Sequence, residues 1–221
     1  MENDNPKGAI LQRDKKTYAI VPRTPAGILS AEILDQISAV VKKYDIPVVK
    51  ITSGQRIALV GLKKEQVDPA WNDLQIDHGE AQALCLHYVQ ACPGNSLCKF
   101  GVDDSLGLGV ELEGMFQGLD YPAKIKFGVS GCPMNCAEGY LRDVGVFAKA
   151  KGWTLIVGGN AGGRPRIGDI IAKDISRAQV VELSRKFLEY YKENARKKER
   201  TSRFIERIGI ETIVKALDLQ L

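Results

Sequence analysis

Four cysteines stand in two short stretches of related composition. "ACPGNSLC" holds Cys92 and Cys98 with five residues between them, and "GCPMNC" holds Cys132 and Cys136 with three. Thiolate sulfur is a soft, redox-competent donor, so cysteines grouped in this way point to metal ligation or electron transfer. An iron-sulfur cube is held by four thiolates whose spacing varies, and Gly and Pro beside the ligands let backbone N–H groups approach the sulfides. Structural zinc draws on knuckles with two to four residues between ligands, which the gap from Cys92 to Cys98 fits poorly. The spacing favours a cluster over zinc, and unliganded buried thiols remain the third reading. Cys85 lies outside both stretches and reads as a small buried hydrophobe.

The elements that must position these residues follow from periodicity. "KTYAIVP" reads as a strand, and "SAEILDQISAVVKKY" as a helix capped by Ser30, with Ile33, Leu34, Ile37, Val40 and Val41 on one face. "VVKITS" and "RIALVGL" read as a hairpin around Gly54 and Gln55, and "DPAWNDL" as the start of a short helix with Pro69 in its first turn. The apolar pattern lapses near "QIDHGEAQA", which places a domain boundary there, between residues 78 and 79. Beyond it come "LCLHYVQACPGNSLCKFG", a helix over 103–117, and the strands "AKIKFGVS", "DVGVFAKA" and "WTLIVGG". A Gly-rich loop, "GGNAGGRPRIGD", leads to a long amphipathic helix starting after Asp174 or Ser176, then two shorter helices broken at Gly209. The class is mixed α/β.

Composition narrows the setting. The 221 residues are 44% hydrophobic and 26% charged, enough for one sizeable core or two small ones. The opening "MENDNPKGAI" lacks the n-region and h-region of a signal peptide, and there is no run of about 18 apolar residues to span a bilayer. A cytoplasmic protein with no membrane partner is expected, and five cysteines in a reducing compartment suit metal or redox chemistry better than disulfides. A net charge of +4 is too mild to argue for nucleic acid. Nine Lys or Arg against four Glu lie between Arg185 and Arg207, without the interleaved aromatics of an RNA platform. That run is a solvated helix face or a docking patch for an acidic donor.

At the four cysteines the chain resembles the sirohaem and 4Fe-4S reductases of sulfite and nitrite, through C-x5-C with "CPG" followed by C-x3-C in "GCPMNC". "KITSGQRIALVGL" is similar to the motif of that family's ferredoxin-like half domain. The resemblance implies such a half domain over residues 1–78 and a mixed α/β domain binding sirohaem and the cluster over 79–221. It implies that Cys92, Cys98, Cys132 and Cys136 hold the cube, with Cys136 also bridging to the sirohaem iron. It further implies six-electron reduction of sulfite to sulfide; the alternatives are nitrite reduction to ammonia or an electron carrier that keeps the cube without the haem. Because no flavin or nicotinamide domain is evident, electrons are expected from an external donor such as ferredoxin, to a monomer or homodimer.

Sirohaem is rich in carboxylates and the substrate is an anion, so cations are needed. Lys124 and Lys126 alternate with Ile125 and point the same way along a strand; they match the family's paired lysines for binding the oxyanion and supplying protons, against a solvated strand edge. Lys50 stands at the family's basic position before Ile-Thr, Arg56 lies on the hairpin nearby, and Gln55 is the motif's Gln, assigned to the cofactor. The Gly-rich loop matches neither the Walker pattern nor G-x-G-x-x-G; the resemblance implies that its Arg164 and Arg166 meet cofactor carboxylates, against a plain strand-to-helix loop. Two departures stand out. Gly54 replaces an arginine of the first motif, and before Cys92 the chain offers His87 and Gln90 where the family has another. His87 can take over that contact and donate a proton, or be an ordinary buried imidazole.

Overall fold

The computed structural model describes residues 5–78 and 83–219. The chain divides into two compact units, Met1–Ala83 and Leu84–Leu221.

The first unit is an antiparallel sheet in the order β1-β2-β4-β3, built from β1 (Ala9–Leu11), β2 (Tyr18–Ile20), β3 (Val48–Ile51) and β4 (Ile57–Leu62). Two helices, α1 (Ala31–Lys43) and α2 (Lys64–Leu74), complete it. Ser30 caps α1 by accepting from the Ile33 N–H at 3.3 Å, and Lys42 and Lys43 face the negative end of the helix dipole. The core joins Ile20, Leu59 and Leu62 of the sheet to Ile37, Val40, Val67 and Leu74 of the helices. β3 and β4 form the expected hairpin, with Lys50 opposite Ala58.

Two features of this unit differ from the sequence reading. β1 was not anticipated, because three residues are too few for alternation to register. α2 begins at Lys64 rather than near Asp68, and Pro69 lies inside it. Gln66 Oε1 accepts from the Lys63 N–H at 2.8 Å and fixes the earlier start. Val67, Ala70, Trp71 and Leu74, spaced along one face, hold the helix on the core despite the N–H that Pro69 lacks.

The second unit is a five-stranded mixed sheet in the order β5-β6-β7-β8-β9: β5 (Leu86–Ala91), β6 (Ile125–Ser130), β7 (Val144–Lys149), β8 (Gly152–Val157) and β9 (Asp169–Ile175). β5, β6 and β7 pair in parallel, and the β7–β8 and β8–β9 pairings are antiparallel. α3 (Ser105–Phe116) is the crossover from β5 to β6, and α4 (Arg177–Asn194), α5 (Thr201–Ile208) and α6 (Ile210–Ala216) close the chain. Asp104 starts α3 by accepting from the Gly107 N–H at 2.8 Å, and Phe116 stacks on Phe127 at 5.5 Å. Ile125, Phe127 and Val129 are all fully buried, which leaves Lys126, Gly128 and Ser130 on the opposite face of β6. Ser176 caps α4, and Gly209, at φ 82°, separates α5 from α6. β9 was not anticipated; its pairing with β8 is broken by register shifts, which blur the alternation. Among the described residues no helix is long and apolar enough to cross a membrane.

Candidate active site

Because β5 and β6 are parallel neighbours, their C-terminal ends lie side by side, and the chain leaves them at Cys92 and at Gly131-Cys132. Three short interactions stitch the two exits together. Cys92 N donates to Val129 O at 3.0 Å, Val102 N donates to Gly131 O at 2.7 Å, and Gly131 N donates to Cys92 Sγ at 3.1 Å. A Cβ on Gly131 would lie 2.7 Å from both Asp103 O and Gly94 Cα, so only glycine permits this crossing. Ser105 Oγ donates to Cys92 O at 2.8 Å and lies 3.3 Å from its sulfur. All four cysteines of the two stretches are free; Cys132 is buried, Cys92 and Cys98 are half-buried, and Cys136 is exposed. Among the described residues no three His, Cys, Asp or Glu side chains are gathered closely enough to hold a metal ion, so it is the ligand type and the glycine-lined loops, not a preformed cage, that suit an iron-sulfur cluster.

After Cys132 the chain turns back across the face of the sheet that carries Lys126. Gly128 and Gly145 are cross-strand partners there, and their missing side chains make room for the returning backbone. A Cβ on Gly128 would sit 2.4 Å from Ala137 O, and one on Gly145 would sit 2.1 Å from Gly139 O. Ser130 Oγ accepts from Ala137 N at 3.0 Å, and Asn135 Oδ1 accepts from Gly139 N at 3.0 Å, which pins the segment that contains Cys136. Ala137 thus crosses two residues along the strand from Lys126, bringing Cys136 and the lysine strand to one face.

A group of charges surrounds that strand. Lys126 Nζ lies over the Tyr88 ring, 5.7 Å from its centroid. Its own N–H donates to Asp143 Oδ2 at 2.9 Å. Asp143 is fully buried and also accepts from Arg200 Nη2 at 2.6 Å and Thr201 Oγ1 at 2.5 Å. Burial pushes the Asp143 carboxyl up, opposed by Arg200 and by these hydrogen bonds. Burial holds the Lys126 ammonium below the ordinary lysine range and the neighbouring Arg200 adds to this, while Asp143 works against them. Arg142, likewise buried, donates to Gln90 Oε1 at 2.6 Å and to Glu138 Oε2 at 2.7 Å. Gln90, one of the two residues standing where the family has an arginine, therefore carries an arginine from another part of the chain.

Arg142, Asp143 and Arg200 were not singled out in the sequence. The signal for the first two was the charged pair in "LRDVGVF" directly ahead of an apolar strand. His87 lies on β5 with its ring 5.3 Å from that of Tyr88. Arg166 is paired with Asp169 at 2.5 Å and donates to Gly158 O at 3.1 Å, while Arg164 is largely exposed and 3.5 Å from Glu206. In the first unit, Lys50 is exposed and its Nζ donates to Ile51 O at 2.9 Å, whereas Arg56 is buried. Gln55 takes a left-handed backbone at φ 59°, and its carbonyl accepts from Thr24 Oγ1 at 3.3 Å.

Cysteine loops of this kind beside a cationic sheet face are features of iron-sulfur oxidoreductases that act on anions. Residues 83–221 match the nitrite and sulphite reductase 4Fe-4S domain, and residues 10–75 match the nitrite/sulfite reductase ferredoxin-like half domain. The chain belongs to the nitrite and sulfite reductase family, as an enzyme with a 4Fe-4S domain. It is 59% identical to an assimilatory-type sulfite reductase of Nitratidesulfovibrio vulgaris, over 97% of this chain and 99% of that protein. It is 43% identical to a nitrite reductase [NAD(P)H] of Bacillus subtilis, over 95% of this chain but only 26% of that longer protein. The fold matches the crystal structure of a dissimilatory sulfite reductase with a TM-score of 0.82 at 16% identity, covering 93% of this chain and 70% of the other.

Proposed function

We propose that this chain reduces sulfite to sulfide on a sirohaem coupled to a 4Fe-4S cluster, with electrons from a separate protein donor. The observation that carries the reading is the placing of Cys92, Cys98, Cys132 and Cys136 on two interlocked loops, with Cys136 exposed on the face that bears Lys126. In this reading Cys92, Cys98, Cys132 and Cys136 would hold the cluster, and Cys136 would also serve the sirohaem. Together the two cofactors supply one-electron reduction chemistry at an oxyanion. Lys124 and Lys126 would bind that oxyanion and pass on protons, taken up again from solvent after each transfer, so that its three oxygens leave as water as the donor's six electrons arrive. Burial, with Arg200 beside it, holds the Lys126 ammonium below the ordinary lysine range, which makes it a readier proton donor than an exposed lysine. Asp143 holds the start of β6 in place through the Lys126 N–H and so sets where that ammonium stands.

The 43% identity to a nitrite reductase favours nitrite as a second substrate, since it too is a small oxyanion reduced by six electrons. The deciding experiment is an optical spectrum of anaerobically purified protein, with iron and acid-labile sulfide measured on the same sample. Sirohaem bands with about five irons per chain support the reading, and kcat/KM for sulfite against nitrite then ranks the substrates. About four irons with no haem band leave an electron carrier and end the reductase proposal.

A further inference from the structure

Two cations lie over one aromatic ring. Lys126 Nζ is 5.7 Å and Arg142 Cζ 5.8 Å from the centroid of Tyr88. Like charges brought together on a mostly buried surface repel one another unless an anion joins them. The nearby carboxylates do this incompletely. Asp143 is taken up by Arg200, Thr201 and the Lys126 N–H. Glu138, which pairs with Arg142 at 2.7 Å, has a side chain 56% exposed, so water screens much of its charge. The Arg142 side chain is itself only 8% exposed. Its Nε is buried without a hydrogen-bond partner, although a guanidinium offers five donors and an unfilled one is costly inside a protein.

We propose that Arg142 is a second cation of the anion site, its guanidinium donating to an oxygen of an oxyanion that Lys126 also holds. The inference rests on the reductase reading for the identity of that oxyanion, which is free sulfite or nitrite, or a carboxylate at the edge of the sirohaem. Glu138 is then an internal stand-in that competes for the guanidinium while no ligand is bound. Gln90 keeps Arg142 aimed across β5.

The test uses the full chain with its cofactors and the variants Arg142→Gln, Arg142→Lys and Glu138→Gln. Sirohaem and iron per chain, the sulfite Kd by equilibrium dialysis, KM and kcat are measured for each. If the anion is free sulfite, Arg142→Gln raises Kd and KM about tenfold or more with cofactor content unchanged, and Arg142→Lys recovers part of the loss. Glu138→Gln tightens sulfite, because the competing carboxylate is gone. If the anion is a cofactor carboxylate, Arg142→Gln protein loses sirohaem, and the fraction that keeps it binds sulfite as the wild type does. The proposal is overturned if Arg142→Gln and Glu138→Gln lower the Tm alike while Kd, KM and sirohaem content stay at wild-type values, since that describes a structural ion pair. A wild-type protein that binds sulfite but does not reduce it ends the reductase reading and leaves the Arg142 result standing on its own.

Discussion

Lys126 is the residue whose surroundings do most to define its chemistry. Burial and the Arg200 cation both disfavour its charged form, with Asp143 opposing, and Arg142 and Lys124 add further positive charge. A rate that needs the ammonium is therefore full at low pH and falls as pH rises through a pKa below that of an ordinary lysine. Lys126→Gln should remove this alkaline limb and cut kcat about 10²-fold, measured with a small chemical reductant across pH. Lys124→Ala combined with Lys126→Ala should reduce turnover further while the cofactor spectra stay nearly intact; unchanged kinetics would make both lysines surface charges. Cys136 calls for a different readout. Cys136→Ser should abolish turnover and alter the haem spectrum, and a variant with full turnover would remove Cys136 from the bridging role.

Among the elements, the returning segment from Cys132 to Arg142 depends on glycines in the strands beneath it. Gly128→Ala would drive its Cβ to 2.4 Å from Ala137 O, a backbone atom that cannot yield without moving the segment. Urea unfolding should show a loss of about 1–3 kcal/mol, accompanied by lower iron content, because the displaced backbone carries Cys136. A variant of wild-type stability and iron content would mean that the segment can lift off the sheet. Asp143 has a comparable part between β6, β7 and α5. Asp143→Asn leaves Arg200 without its buried counter-charge and should cost about 3 kcal/mol, the low end for a broken buried pair because Arg200 is partly exposed. An Asp143→Asn protein within experimental error of wild type would show that the hydrogen bonds matter and the charge does not.

For the whole molecule the open question is how electrons arrive. Part of the basic run from Arg185 to Arg207 is tied up in ion pairs. Arg185 bonds Glu182 and Glu189, Arg203 bonds Glu206, and Arg207 bonds Glu199. Lys197 and Lys198 are exposed at the turn between α4 and α5, where Lys198 adopts φ 64° and its N–H donates to Pro122 O at 2.7 Å. If an acidic protein donor docks on this run, the exposed pair at that turn is where it would bind, rather than the helix. Reversing both lysines to Glu should slow reduction by such a donor severalfold, more at low salt, and leave reduction by a small chemical reductant unchanged. Equal slowing with both reductants would count against docking there.

Much of this protein was legible in the sequence because the signals were local. Ser30 announced its helix, the start of α4 was narrowed to Asp174 or Ser176, the hairpin of β3 and β4 followed from two apolar runs around Gly54-Gln55, and the four cysteines stood out by type and spacing. The family resemblance rested on those same short stretches. What the tertiary structure decided was which distant residues meet. The three-residue β1 and the bulged β9 carry too little alternation to be read alone, and both are strands only because a neighbour pairs with them. Arg142 reaching Gln90 across 52 positions, and Asp143 bonding Arg200 and Thr201 across 57 and 58, have no periodicity to betray them. A buried charge takes its role from partners that the fold delivers, and spacing along the chain does not record who those partners are.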